Sequence, residues 1–162
     1  SRAKQPQPTL RGSLSPWAPF LKRYIWRTGK KLDLEKMRKA ARALEGRHDF
    51  TSFRGNNSVP SDPVRNIHEI RVEKDGDLVR IYVTGEGFLY HMVRNIAGCL
   101  VDAGMGLLSV KDIEEILAAK DRRKLGMTAP AEGLCLLRVY FSPITKESIE
   151  ETLAMPLFPW CR

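Results

Sequence analysis

Alternation of apolar and polar residues predicts four β-strands in this chain. The two central strands flank Asp75, Gly76 and Asp77, a sequence typical of a β-hairpin turn. The alternation places aliphatic side chains on one face of the hairpin and polar and aromatic ones on the other. The predicted strands are 21–28, 64–74, 78–85 and 134–141.

Apolar residues three and four positions apart predict four helices. Asp33 is a typical N-cap for the first helix, and Gly46 is a typical stop. Ser109 followed by Asp112 predicts a capping box at the start of the third. The predicted helices are 34–45, 88–103, 110–117 and 145–154, and polar turn-forming residues predict a long loop at 48–63.

The order β-α-β-β-α-α-β predicts an α+β fold, a largely antiparallel sheet with helices on one face. A sheet whose other face is polar and aromatic is a natural platform for RNA. Residues 1–16 lack periodicity and are predicted to form a flexible basic tail. The predicted folded unit is 17–142, and 143–162 form a C-terminal tail.

Positive charge is concentrated at the start of the chain. The net charge is +8, and residues 1–31 hold eight basic side chains and no acidic one. Such a segment attracts phosphate backbones. It is also typical of an organelle transit peptide, although four aromatic residues at 17–26 indicate packed structure. We therefore predict a cytoplasmic protein and keep an organelle as the alternative.

The cysteines and histidines are too scattered to predict a metal site. Cys99 falls on a predicted helix and Cys135 on a predicted strand, which indicates reduced core thiols in a cytosol-like compartment. No apolar run approaches the roughly 18 residues of a membrane-spanning helix.

Arg94 lies in the middle of the apolar helix 88–103, on a narrow stripe that ends at Asp102. A guanidinium keeps its proton, so a buried one needs an anionic partner. Asp102 follows eight residues later, about 12 Å along the axis and beyond direct reach. An acid from a loop would make a purely structural ion pair, and an acid in an active site would make a functional one.

Four segments together resemble the C-terminal half of the TruA-type tRNA pseudouridine synthases in order and spacing. They are "HDFTSFRG", "GEGFLYHMVRNIAGCLVDAGMG", "ILAAKDR" and "TAPAEGLCLLRVYF". The likeness runs from Trp17 to Phe141. It implies that residues 17–142 are one half of a catalytic domain built from two similar halves.

The resemblance implies an isomerase that converts uridines of the tRNA anticodon arm to pseudouridine without a metal or organic cofactor. The family usually works as a homodimer whose basic cleft holds the tRNA. An aspartate acts as nucleophile on a nucleotide that has left its stack. Arg94 falls on the arginine that pairs with this aspartate, and Leu134 falls on the leucine that packs against the flipped base.

The chain departs from the family at the nucleophile. The family's Arg-Thr-Asp-x-Gly segment is not found, and residues 1–16 do not match its tyrosine segment. We therefore expect this chain to be inert alone, as part of a longer enzyme or as a truncated paralogue. A non-catalytic RNA-binding module is the alternative function.

Further candidate substrate contacts follow from the resemblance and from charge. His91 and Asn95 share the stripe of Arg94, where they form either hydrogen bonds between helices or contacts with substrate. Arg54 and Arg65 flank the loop where the family contacts tRNA. The basic side chains that either contact phosphate or form a solvated surface are Lys22, Arg23, Lys120, Arg122, Arg123 and Lys124.

Overall fold

The computed structural model describes residues 24–56 and 59–155. The predictions for Lys22, Arg23 and the tail 1–16 therefore lie outside the described residues. In chain order the regular elements are α1 (Leu34–Leu44), β1 (Gly46–Asp49), β2 (Val64–Asp75), β3 (Leu78–Gly85), α2 (Met92–Gly104), α3 (Val110–Ala119) and α4 (Lys146–Ala154). Short 3-10 turns cover Thr51–Phe53, Arg122–Lys124 and Ala131–Gly133.

The first helix begins at the predicted cap. The side chain of Asp33 accepts hydrogen bonds from the backbone N–H groups of Glu35 and Lys36, which satisfies two donors that a helix start leaves free. The backbone N–H of Asp33 donates to the carbonyl of Gly104, 2.9 Å away, and so joins the start of α1 to the end of α2. The apolar face of α1 is buried in the core by Met37, Ala40, Ala41 and Leu44.

The three strands form one antiparallel sheet in the order β1-β2-β3. The predicted hairpin is confirmed, with Asp75 opposite Leu78 and Gly76 in the left-handed region at φ +60°. His68 is the extra residue of a β-bulge, because Ile67 pairs with Gly85 and Glu69 pairs with Thr84. The fold is α+β, as predicted.

The core lies between the sheet and the helices α1, α2 and α3. The fully buried aromatic residues Phe50 and Phe53 pack edge to face, with ring centroids 5.7 Å apart. Ser109 and Asp112 form the predicted capping box of α3. In the part of the chain that is described, no helix has the length and apolar character needed to cross a membrane.

The fourth helix lies on the opposite face of the sheet, so the prediction of helices on one face is wrong for α4. Ile70 and Val72 of β2 are buried in the core. Arg71, between them, points away from the core and forms ion pairs with Glu69 and with Glu150 of α4. The ion pair between Arg71 and Glu150 joins the polar surface of α4 to this face of the sheet.

Both predicted terminal strands are corrected by the structure. The described part of 21–28, from Tyr24 onward, is not a strand, and 134–141 has no regular secondary structure. A strand requires a hydrogen-bonded neighbour, and among the described residues none pairs with either segment. Within the described residues the observed order is therefore α-β-β-β-α-α-α.

Two predicted boundaries also move. The loop 48–63 contains the end of β1 and the turn Thr51–Phe53. The helix expected at 88–103 begins only at Met92, because His91 has a left-handed backbone (φ 59°), a conformation that an α-helix cannot include.

Candidate functional site

Arg94 is half-buried on α2, and its guanidinium contacts a backbone carbonyl and an imidazole nitrogen. Its Nε donates to the carbonyl of Ala129 at 2.8 Å. Its Nη1 lies 3.1 Å from Nε2 of His91. Because a guanidinium only donates, a hydrogen bond between these two atoms has Nε2 of His91 as its acceptor. These contacts fix the plane of the guanidinium without neutralising its charge.

No carboxylate of the described residues forms an ion pair with Arg94. Asp102 lies farther along α2, where burial raises the pKa of its carboxyl group. The structural ion pair with a loop acid is therefore not found in this part of the chain. The positive charge of Arg94 is available to an anion from elsewhere.

The loop 125–130 runs along α2 in the opposite direction and supplies the acceptor for Arg94. Gly126 lies against Asp102, and Gly98 lies against Met127. Ala129 and Arg94 are joined by two hydrogen bonds. The N–H of Ala129 donates to the carbonyl of Arg94 at 3.1 Å, and the side chain of Arg94 donates to the carbonyl of Ala129. Glycine in α2 permits this approach, since a Cβ on Gly98 would lie 2.1 Å from the carbonyl oxygen of Met127.

His91 lies at the turn before α2, in contact with the "HDFTSFRG" segment. Its ring stacks on Tyr90 with centroids 3.8 Å apart. The N–H of Gly55 donates to the carbonyl of Tyr90 at 2.7 Å. A Cβ on Gly55 would come within 3.0 Å of both Tyr90 and His91. Glycine at position 55 therefore allows the loop to pack against the residue that orients Arg94.

Asn95 is fully buried and makes its hydrogen bonds within the protein. Its Nδ2 donates to the carbonyl of Phe53 at 2.7 Å. Its Oδ1 accepts from the hydroxyl of Thr128 at 2.6 Å. Of the two roles predicted for Asn95, the structure favours internal hydrogen bonding, and its partners are two loops rather than a second helix.

The predicted basic contacts occupy different environments. Arg54 donates to the carbonyl of Ser61, and Arg65 donates to the carbonyls of Asp62 and Val64. Both arginines therefore hold the loop that precedes β2. Lys120 pairs with Asp49 at 3.5 Å, and Arg123 pairs with Asp121 at 2.9 Å. Arg122 points inward, and Lys124 is exposed.

Leu134 follows the turn Ala131–Gly133 and is 53% exposed. Its N–H donates to the carbonyl of Ala131 at 3.0 Å. The segment beyond it is also exposed, with Leu136 at 77% and Phe141 at 99%. Leu134 is thus placed at the start of an uncovered apolar segment that follows the loop contacting Arg94.

The two cysteines among the described residues differ in exposure, which corrects the prediction that Cys99 and Cys135 are both core thiols. Cys99 is buried on α2, whereas Cys135 is exposed, because none of the described residues pairs with 134–141. Burial, with a contribution from Asp102, raises the pKa of Cys99 to about 12.

We expect iodoacetamide at pH 8 to alkylate Cys135 and to leave Cys99 unmodified in the folded chain, because only a thiolate reacts. Peptide mass spectrometry after brief labelling measures both sites. Labelling in denaturant is the control, since it must modify both. Rapid modification of Cys99 in the folded chain would contradict the packing of α2.

Several contributors to the site could not be read from the sequence. The carbonyl of Ala129 and the carbonyl of Phe53 are backbone groups without a side-chain signal. Tyr90, 54% exposed beside His91, has no periodic pattern that marks it. No group of three metal-ligating side chains within residues 24–56 and 59–155 is arranged to hold an ion.

Comparison with known proteins identifies the family. The profile of the tRNA pseudouridine synthase family matches residues 40–142, which include α2, the loop beside it and Leu134. The chain belongs to this family.

Curated relatives agree with this assignment. A protein of Bacillus licheniformis named tRNA pseudouridine synthase A is 45% identical over 122 residues, 75% of this chain and 49% of the relative. Proteins with the same name are 43% identical in Bacillus subtilis (75% and 49% covered) and 42% identical in Erythrobacter litoralis (67% and 44% covered). The chain spans about half the length of the curated relatives it matches.

Proposed function

We propose that this chain is the Arg94-bearing half of a tRNA pseudouridine synthase that acts on uridines of the anticodon arm, and that a second half supplies the nucleophilic aspartate. One observation carries the proposal. The guanidinium of Arg94 is oriented by Ala129 and His91, while no carboxylate of the described residues pairs with it. Family membership and the coverage of about half of each relative support it.

The proposed reaction needs an ionised and well-aimed carboxylate. The aspartate forms a bond to the target nucleotide as the bond between the ribose and N1 of uracil breaks. When carbon 5 of the base then bonds to the ribose, the bond to the aspartate breaks and the carboxylate is released. Carbon 5 loses its hydrogen as a proton, and N1 gains a proton. A charge-assisted hydrogen bond from Arg94 favours the ionised form of the aspartate. Leu134 packs against the base that has left its stack, which offsets part of the few kcal/mol of unstacking. Neither a metal nor an organic cofactor takes part.

The second half also covers exposed apolar surface in this proposal. Residues 134–141 expose several large apolar side chains, and no described residue pairs with their backbone. Exposed apolar surface of this kind is typical of an interface. We expect a half of similar fold to pair here and the complete protein to form a homodimer. Arg54, Arg65, Lys120, Lys124 and the basic start of the chain then contribute phosphate contacts in the cleft.

The proposal is tested with a chimera in which this chain replaces the matched segment of the Bacillus subtilis relative. tRNA carrying uridine tritiated at carbon 5 releases tritium when that carbon joins the ribose. We expect release by the chimera, at anticodon-arm positions, and none by the chain alone or by a chimera whose partner-half aspartate is replaced by asparagine.

Three outcomes would overturn parts of this proposal. Release by the chain alone would show that no second half is needed. Release only from tRNA positions outside the anticodon arm would contradict the proposed substrate. A folded chimera that binds tRNA without releasing tritium would favour the non-catalytic RNA-binding module.

A further inference from the structure

We propose that Arg122 is a positioning residue that holds the loop 125–130 against α2 and thereby orients Arg94; this inference rests on the proposed function. By sequence Arg122 is one member of the basic run 120–124. Its environment in the structure separates it from the other members of that run.

The guanidinium of Arg122 binds four acceptors of the protein. Its Nη1 donates to the carbonyls of Leu125 at 3.1 Å and Gly126 at 3.4 Å. Its Nη2 donates to the hydroxyl of Thr128 at 2.8 Å and lies 3.4 Å from Oδ1 of Asn95. Arginine presents several donors in a rigid planar fork, so one side chain fixes several points of the loop together.

These contacts connect Arg122 to Arg94 through Thr128. The hydroxyl of Thr128 also donates to Oδ1 of the buried Asn95, one residue along α2 from Arg94. The residue after Thr128 is Ala129, whose carbonyl accepts from Nε of Arg94. A change at Arg122 therefore reaches Arg94 by way of the loop backbone, without contact between the two arginines.

Arg123 is a matched comparison. It carries the same charge on the next residue, its side chain is 90% exposed, and it pairs with Asp121 at 2.9 Å. A surface ion pair of this kind contributes little to the folded structure. Comparing variants of Arg122 and Arg123 therefore distinguishes the effect of displacing the loop from the effect of removing one positive charge.

The first experiment compares Arg122→Ala, Arg122→Lys and Arg123→Ala in the complete synthase, at temperatures well below unfolding. We expect Arg122→Ala to lower kcat about 10-fold to 100-fold, because misplaced groups lose turnover rather than binding, with tRNA affinity and its salt dependence unchanged. Arg123→Ala should leave kcat unchanged. Arg122→Lys should recover only a part, since an ammonium does not reproduce the fork.

A contact between Arg122 and a tRNA phosphate would give the opposite results for the Arg122 variants. If Arg122→Ala weakens tRNA binding, reduces its salt dependence and is fully restored by Arg122→Lys, the positioning role is wrong. Equal losses in Arg122→Ala and Arg123→Ala would also overturn it.

Hydrogen exchange on this chain alone tests the same claim without activity. We expect Arg122→Ala and Thr128→Val to speed exchange of the Ala129 N–H, which is bonded to the carbonyl of Arg94, and to leave α1 unchanged. Unaltered exchange at Ala129 in both variants would overturn the inference. An inactive wild-type synthase would contradict the proposed function instead, and the exchange result would still decide the role of Arg122.

Discussion

Replacing Arg94 with alanine should lower pseudouridine formation by the complete synthase about 100-fold to 1,000-fold, the loss typical of removing one preorganised donor from a reacting centre. The guanidinium is already aimed by Ala129 and His91. In the proposed site it meets the aspartate without further reorganisation. Its loss leaves that carboxylate without its charge-assisted partner and free to take unproductive orientations.

Arg94→Lys should recover little activity. A lysine keeps the charge, but its single ammonium does not supply the separate Nε and Nη donors that contact Ala129 and His91. Single-turnover rates and tRNA affinity should be measured together, because a residue that acts in the transition state changes the rate without a matching change in binding.

Arg42→Ala is the control for loss of one positive charge, since Arg42 is exposed on α1. It should retain wild-type turnover. An Arg94→Ala synthase that turns over within about threefold of wild type would remove Arg94 from the proposed mechanism.

The parts of the fold that sequence could predict are those whose signals are local. The cap at Asp33, the capping box at Ser109 and the turn at Gly76 each satisfy backbone groups within a few residues. Such interactions depend on neighbouring side chains alone, so their residue types mark them. The hairpin and the helices α1, α3 and α4 accordingly lie close to their predicted positions, whereas α2 begins later than predicted.

The parts that sequence could not predict depend on groups far apart along the chain. The strand expected at 134–141 has apolar alternation, but a strand also needs a neighbour, and among the described residues none pairs with it. Arg122 and Arg123 are the same residue type at adjacent positions, so the sequence does not distinguish them. In the tertiary structure Arg122 contacts Thr128, whereas Arg123 pairs with Asp121. The helix pattern and the family resemblance both single out Arg94 as a candidate, whereas the backbone carbonyl of Ala129 that it contacts has no side-chain signature.

Gly98→Ala should destabilise the chain by about 1–3 kcal/mol, the range of an overpacked site. The added Cβ would lie 2.1 Å from the carbonyl oxygen of Met127, a backbone atom that moves only if the loop moves. Helix propensity acts in the other direction, because alanine in a helix interior is favoured over glycine by about 1 kcal/mol. A net loss of stability in Gly98→Ala would therefore show that the loop and the helix approach each other closely at this position.

Gly104→Ala is the matched control in the same helix. Its added Cβ would meet Cγ of the fully buried Met37 at 2.8 Å, so this variant overpacks the core against a side chain of α1 and not against the backbone of the loop. Urea unfolding of the two variants should give a clearly lower midpoint for Gly98→Ala than for Gly104→Ala. A midpoint for Gly98→Ala equal to that of the unsubstituted chain would show that the loop yields freely at Met127.

The same pair of variants connects stability to function. If the loop is displaced by Gly98→Ala, the N–H of Ala129 loses the carbonyl of Arg94, and Nε of Arg94 loses its acceptor. We therefore expect Gly98→Ala to lower turnover of the complete synthase even at temperatures where it is fully folded, and Gly104→Ala to keep wild-type turnover. A folded and fully active Gly98→Ala synthase would mean that Arg94 keeps its aim without Ala129, and that its orientation is set by His91 alone.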